Sequence, residues 1–403
     1  MKTRYAVLLA SAVAFSYSNL AAAQKLEGFD LSLAKVPPFP VTAFYETPEN
    51  FSSLPVGSII RQEPLEAPAG ASAWRVLYVS ERWDGTHVPA SGLVIAPKQT
   101  DGATPYPVVS WLHGTTGAAR GCAPSLAPNP VQEFVQRGEY AIDIGIPFLQ
   151  DWLARGYAIV APDYAGLGSD AVHRYLAGVD SARDVHNMLR AARSISEANI
   201  GKDVSLVGWS QGGAAALFAG EIAATYAPEN KIRSLVALAP ASTVLRPDAT
   251  INAFFKAKVP YTLLVGQSYI DAYNLDKTLF AAEGHKLLDA AQSTCVVGVL
   301  GALAQSQDPA VTDNITDHKD WVEALKRNNA GSARIDAPVS IFQGLEDTIV
   351  PPSDTQDYAE RVKALGMDVS ITWVAHAGHR DLFDRKKDEI VKKVVEGFEA
   401  ASN

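Results

Sequence analysis

The chain has 403 residues, of which 47% are hydrophobic and 20% charged, with a formal net charge of −9. This is the composition of a globular protein, and the length holds either two average domains or one sheet-centred body with an insertion. Acidic residues are in excess and no cluster of lysine or arginine stands out, so no nucleic-acid partner and no anionic membrane surface is expected.

At the N-terminus, Lys2 and Arg4 precede an apolar run from Ala6 to Phe15, and Ala21-Ala22-Ala23 supplies small residues for cleavage. This pattern predicts a secretory signal peptide over 1–23 and a secreted or periplasmic mature protein. A membrane anchor is the competing reading, but the run is shorter than the about 20 residues that cross a bilayer. No later stretch reaches that length, so no integral membrane segment is expected after signal removal. Residues 24–73, with Val36-Pro37-Pro38-Phe39-Pro40 and Phe44-Tyr45, read as an N-terminal arm laid over the body.

From Trp74 onward, strand-like and helical stretches alternate. Trp74 to Val79 and Ser91 to Ala96 look like early strands, possibly antiparallel, and Tyr106 to Leu112 is a continuous apolar strand of the kind covered on both faces. A helix over Phe148–Arg155, a strand over Tyr157–Ala161, a helix over Asp180–Ile195 and a strand over Val204–Val207 follow. An alanine-rich helix from Gln211 to Thr225 and a strand at Leu235–Leu238 complete the first part of the core, 74–241. Such alternation predicts an α/β fold with a mostly parallel central sheet and helices on both faces. Residues 242–337 break the rhythm and read as a helical cap or lid inserted between core strands, with a separate domain as the alternative. Strands at Val339–Phe342 and Val369–Trp373 and a helix over Arg385–Ala400 return the chain to the core, 338–403.

The two cysteines, Cys122 and Cys295, form an even count in a chain bound for an oxidising compartment, which favours a disulfide over two buried thiols. Neither has a histidine or carboxylate at ligand spacing, so no metal site and no cofactor is expected.

The strongest chemical signal is Gly208-Trp209-Ser210-Gln211-Gly212, placed directly after a buried strand and directly before an alanine-rich helix. A nucleophilic serine in that tight strand-to-helix turn projects its hydroxyl above the sheet, and small residues flank it where side chains would strike backbone. The N–H of Gln211, free at the helix start, is placed to donate to an oxyanion. Gly266-Gln267-Ser268 also follows an apolar run, but Ile270 stands where a second glycine belongs, and Ser268 reads as structural.

A serine hydroxyl needs a base, and the base an orienting acid, in the chain order serine, acid, histidine. The segment after the Val339 strand offers Asp347, with Glu346 as the neighbouring alternative. The loop after the next strand reads His376-Ala377-Gly378-His379, where His379 is chosen and His376 is the alternative. His285 and His318 lie in the inserted segment and read as exposed polar residues. The loop after Leu112, His113-Gly114-Thr115-Thr116-Gly117, is placed to supply the second oxyanion donor from Thr115 or Thr116, with His113 bracing it. Asp163, which tops a strand before the serine, reads as a loop-organising residue.

Together these motifs resemble the α/β-hydrolase superfamily and, within it, the secretory lipase family that includes the lipase A enzymes of yeasts. The likeness includes Leu54-Pro55-Val56-Gly57-Ser58-Ile59-Ile60-Arg61, the Cys122-Ala123-Pro124-Ser125 loop, the Asp163–Gly168 segment and the insertion before the acid strand. It covers roughly Phe44 to the C-terminus. The departure is Thr115-Thr116, where yeast members usually carry an acidic oxyanion residue. The resemblance implies hydrolysis of carboxylic esters, often acylglycerols, with the cap shaping acyl-chain access, so a small-molecule or lipid ester is the expected partner. A serine peptidase on the same scaffold and a non-enzymatic binding protein are the competing readings.

Overall fold

The computed structural model describes residues 31–98, 104–136, 140–257 and 259–400. The signal peptide expected over 1–23 lies outside them. Nine strands build one sheet: β1 (Ile59–Leu65), β2 (Ala71–Glu81), β3 (His87–Pro97), β4 (Tyr106–Leu112), β5 (Ala158–Pro162), β6 (Ile200–Trp209), β7 (Lys231–Leu238), β8 (Val339–Gly344) and β9 (Ser370–Val374). Their spatial order is β1-β2-β3-β5-β4-β6-β7-β8-β9. The pairs from β1 to β5 are antiparallel, and all the rest are parallel.

The central strands are apolar on both faces because both faces are covered. All of β5, Ala-Ile-Val-Ala-Pro, is buried. On one face, α2 (Gly178–Arg193) and α3 (Gln211–Tyr226) bring Val185, Met188, Leu217 and Phe218 onto the sheet. On the other, α1 (Leu149–Ala154) and the C-terminal helix (Leu382–Ala400) bring Trp152, Ile390 and Val394. The result is the three-layer α/β architecture expected from the alternation, and the α/β-hydrolase fold that the resemblance implies.

The expected N-terminal arm needs one correction. Residues 59–65 are β1, the edge strand, hydrogen-bonded antiparallel to β2 from Ile59↔Tyr78 to Leu65↔Ala73. Pro64 inside it donates no N–H, which only an edge strand or a bulge tolerates.

Among the described residues five α-helices lie between β7 and β8: α4 (Asp248–Lys256), α5 (Pro260–Tyr273), α6 (Ala282–Ser293), α7 (Val296–Gln305) and α8 (Lys319–Arg327). Phe255, Leu263, Tyr269, Phe280, Leu300 and Trp321 form their apolar centre. That centre extends to Tyr175 and Ala141 from the sheet-bearing part of the chain, so the insertion is not packed on itself alone. Gly266-Gln267-Ser268 lies in the middle of α5, and Ser268 is fully buried there. Cys122 and Cys295 are bonded, with Cα atoms 5.6 Å apart, which ties the start of α7 to the loop after β4. Among the described residues no helix is long and apolar enough to cross a membrane.

Candidate active site

Ser210 is the single residue between β6 and α3, and its backbone takes φ 58°, ψ −117°. A non-glycine residue there is strained and persists only where the surroundings hold it. Three backbone hydrogen bonds do so: Ser210 N donates to Leu238 O at 2.9 Å, and Ala214 N and Ala241 N both donate to Ser210 O at 3.1 Å. The flanking glycines are required by space. A Cβ on Gly208 would lie 2.1 Å from Gly212 O, and one on Gly212 would lie 1.9 Å from Leu112 O.

Asp347 follows the end of β8. Its Oδ1 accepts from the N–H groups of Ile349 and Val350, each at 2.9 Å. Its Oδ2 meets His379 Nδ1 at 2.7 Å, and both side chains are almost wholly buried, at 0% and 3% exposure. Gln343 Nε2 also donates to Oδ2 at 3.3 Å, and Gln343 is itself held by Thr355. A carboxylate fixed at both oxygens orients the imidazole and leaves Nε2 as the working nitrogen. The His379 ring lies 5.1 Å from that of Trp209, whose Nε1 donates to His379 O at 3.1 Å.

The alternative acid and base pair with each other instead. Glu346 and His376 meet at 2.8 Å on the surface, with side chains 62% and 86% exposed. His318 faces Asp313, and His285 lines a separate pocket with Gln267 and Asp271.

Ser210 and His379 line one small cavity together with Thr115, Trp209, Tyr261, Val296 and Arg380. Of the two loop threonines, the structure brings Thr115 to this cavity and not Thr116. Thr116 is fully buried, its Oγ1 has no partner, and its carbonyl accepts from Val296 N at 2.8 Å. The hydroxyl of Thr115 sits 2.9 Å from the phenol of Tyr175. Gln211 occupies the first position of α3, where the backbone N–H has no intrahelical acceptor.

Several residues that the sequence did not single out complete the surroundings. Gln211 Nε2 donates to His173 Nε2 at 3.1 Å, while His173 Nδ1 donates to Ala165 O at 3.2 Å. Burial pushes His173 down to about 3, so the ring is neutral and can accept from the glutamine. Arg380 forms a two-pronged pair with Asp143, at 2.8 and 3.0 Å, and stacks 4.8 Å from the Trp209 ring. Asp163 accepts from the hydroxyls of Ser91 and Ser125 and from Ser125 N, which knits the loops after β4 and β5 to strand β3. Its carbonyl contacts His113 Nε2 at 3.2 Å, so Asp163 braces the loop after β4 through His113. Among the described residues there is no cluster of side chains that could hold a metal ion.

Known proteins resemble this chain in sequence and in fold. The family profile described as "Secretory lipase" matches residues 135–383. A relative from Mycobacterium tuberculosis, described as a probable inactive lipase, is 24% identical over 84% of this chain and 76% of its own length. Candida antarctica lipase A in its closed state superposes with a TM-score of 0.71 at 19% identity, over 90% of this chain and 87% of that one. The rice cell wall degrading esterase LipA from Xanthomonas oryzae gives 0.63 at 18% identity, over 85% and 96%.

Proposed function

The chain belongs to the secretory lipase family and is an ester hydrolase, and from that premise we propose that it is a secreted enzyme cleaving carboxylic esters through Ser210, His379 and Asp347. The observation that carries the reading is the buried 2.7 Å pair of Asp347 with His379, opening on the same cavity as the strained Ser210.

Ser210 Oγ attacks the ester carbonyl carbon while His379 Nε2 takes its proton, and Asp347 holds the imidazolium that forms. The carbonyl oxygen becomes an oxyanion, met by the N–H of Gln211 and by Thr115; one such donor is worth about 3–4 kcal/mol. Collapse expels the alcohol, which leaves with the proton from His379. Water, deprotonated by His379, then attacks the acyl-enzyme, and the carboxylic acid departs as Ser210 regains its proton. No cofactor takes part.

The inserted helices form the cap over this site. Tyr261 from α5 and Val296 from α7 close the cavity down to about 10 Å³, hardly the space of one water. Ester entry therefore requires the cap to move. An acylglycerol or related ester is the proposed substrate class.

The test is hydrolysis of p-nitrophenyl esters with short, medium and long acyl chains, beside emulsified triglyceride, by wild type and Ser210→Ala. Wild type is expected to hydrolyse esters and to be labelled by a fluorophosphonate, and the alanine variant to lose both. Activity retained in Ser210→Ala sinks the assignment, and a wild type that neither labels nor hydrolyses marks a retired catalytic centre like that ascribed to the mycobacterial relative.

A further inference from the structure

Tyr175 lies in the segment between β5 and α2, well away from Ser210 in sequence, and its ring is buried in the apolar centre of the inserted helices. Its phenol is 2.9 Å from Thr115 Oγ1. Among the described residues this is the phenol's one hydrogen-bond partner, and a buried O–H must be satisfied where it can be. Either hydroxyl could donate across this contact. If Thr115 donated, the buried phenolic proton would be stranded. If Tyr175 donates, Thr115 keeps a free proton, and Thr115 lines the cavity shared by Ser210 and His379.

Resting on the proposed chemistry of Ser210, we infer that Tyr175 is a positioning residue: it donates to Thr115 Oγ1 and thereby aims the threonine hydroxyl proton at the oxyanion. The threonine is then the donor that touches the reacting atoms, and the tyrosine acts only through it. A hydroxyl that accepts one hydrogen bond is polarised toward donating the next. Burial, with Tyr261 nearby, pushes the Tyr175 phenol well up, so it stays protonated through any working pH. The same short segment braces the other donor, since His173 holds the side chain of Gln211. Because the Tyr175 ring is packed among cap residues such as Leu263 and Val244, seating of the cap and readiness of the oxyanion site become one event.

The experiment is a double-mutant cycle on the full-length enzyme, read as kcat and KM for an ester and as the rate of fluorophosphonate labelling. Thr115→Val is expected to lower kcat about 10²-fold with little change in KM, and Thr115→Ser to restore most of it. Tyr175→Phe is expected to lower kcat about tenfold in the wild-type background and to do nothing further in Thr115→Val. A Tyr175→Phe loss of equal size in both backgrounds, or one carried by KM alone, overturns the inference and leaves a packing role. Full activity in Thr115→Val overturns it as well, because the backbone N–H alone would then serve. Thermal unfolding of each variant separates these results from misfolding, and the Ser210→Ala control separates them from failure of the ester-hydrolase reading.

Discussion

The backbone N–H of Val296 donates to the carbonyl of Thr116 at 2.8 Å, one residue along from the cysteine that bonds Cys122. The loop after β4 and the inserted helices are thus joined twice within a few residues, once covalently. One wall of the cavity over Ser210 is bonded covalently to the loop after β4, whereas α5, which carries Tyr261, is held to the body by hydrogen bonds, from Trp83 Nε1 to Ala272 O, from Tyr269 Oη to Leu176 O and from Arg174 Nε to Asp271 Oδ2.

That bridge closes a long loop, its cysteines lying 173 positions apart in the sequence. The Cys122→Ser, Cys295→Ser double variant should lose about 2–5 kcal/mol of stability. Urea unfolding with and without reductant measures it; a wild-type midpoint indifferent to reduction would show that the bridge constrains nothing.

Asp347 and Glu346 are adjacent in sequence and opposite in situation. Asp347→Asn should lower kcat about 10⁴-fold, because the amide favours the wrong imidazole tautomer. Glu346→Gln should change kcat less than about twofold, since its exposed pair with His376 contributes little. Steady-state kinetics on any ester turned over by wild type decides this, and the reverse ranking would exchange the two roles.

Acid should destabilise the fold through histidines that are buried neutral. Burial pushes His173 down to about 3 and His186 down to about 4, against about 6.5 in the unfolded chain. Over that window the unfolded chain binds more protons, so stability is complete above about pH 6.5 and falls as the pH drops. Asp184 works the other way, because burial pushes it up to about 6 and its charged form is the costly one. His113 adds to the histidine side, and Asp163, Glu221 and Asp354, all raised by burial, add to the carboxylate side. The histidine contribution is therefore read by difference: the acid loss of urea midpoint between about pH 7 and about pH 5 should be smaller in His186→Gln than in wild type. An equal change in both proteins refutes the argument.

The parts of this molecule legible in its sequence are those in which side chains alone carry the signal. Val204 to Val207, Gly208 to Gly212 and the loops carrying Asp347 and His379 announce themselves because buried parallel strands need unbroken apolar runs, and their ends carry the chemistry. β1 was not legible: Arg61-Gln62-Glu63-Pro64 shows neither alternation nor β-propensity, and its pairing comes from the exposed edge of β2. Nor were His173 and Tyr175, whose partners Gln211 and Thr115 lie 38 and 60 residues away. Such contacts are made by the fold, and no local period marks them.

The backbone of Ser210 has a consequence for the inactive form. The pair φ 58°, ψ −117° is the mirror image of an extended conformation, which glycine adopts freely and serine does not. Ser210→Gly should therefore abolish turnover yet raise stability by about 1–3 kcal/mol, read as a higher unfolding temperature. A lower temperature would mean that the hydroxyl, not the backbone, governs that turn. On the proposed role of Ser210, the backbone strain that presents the hydroxyl is stability given up for turnover, so one substitution trades catalysis for a sturdier fold.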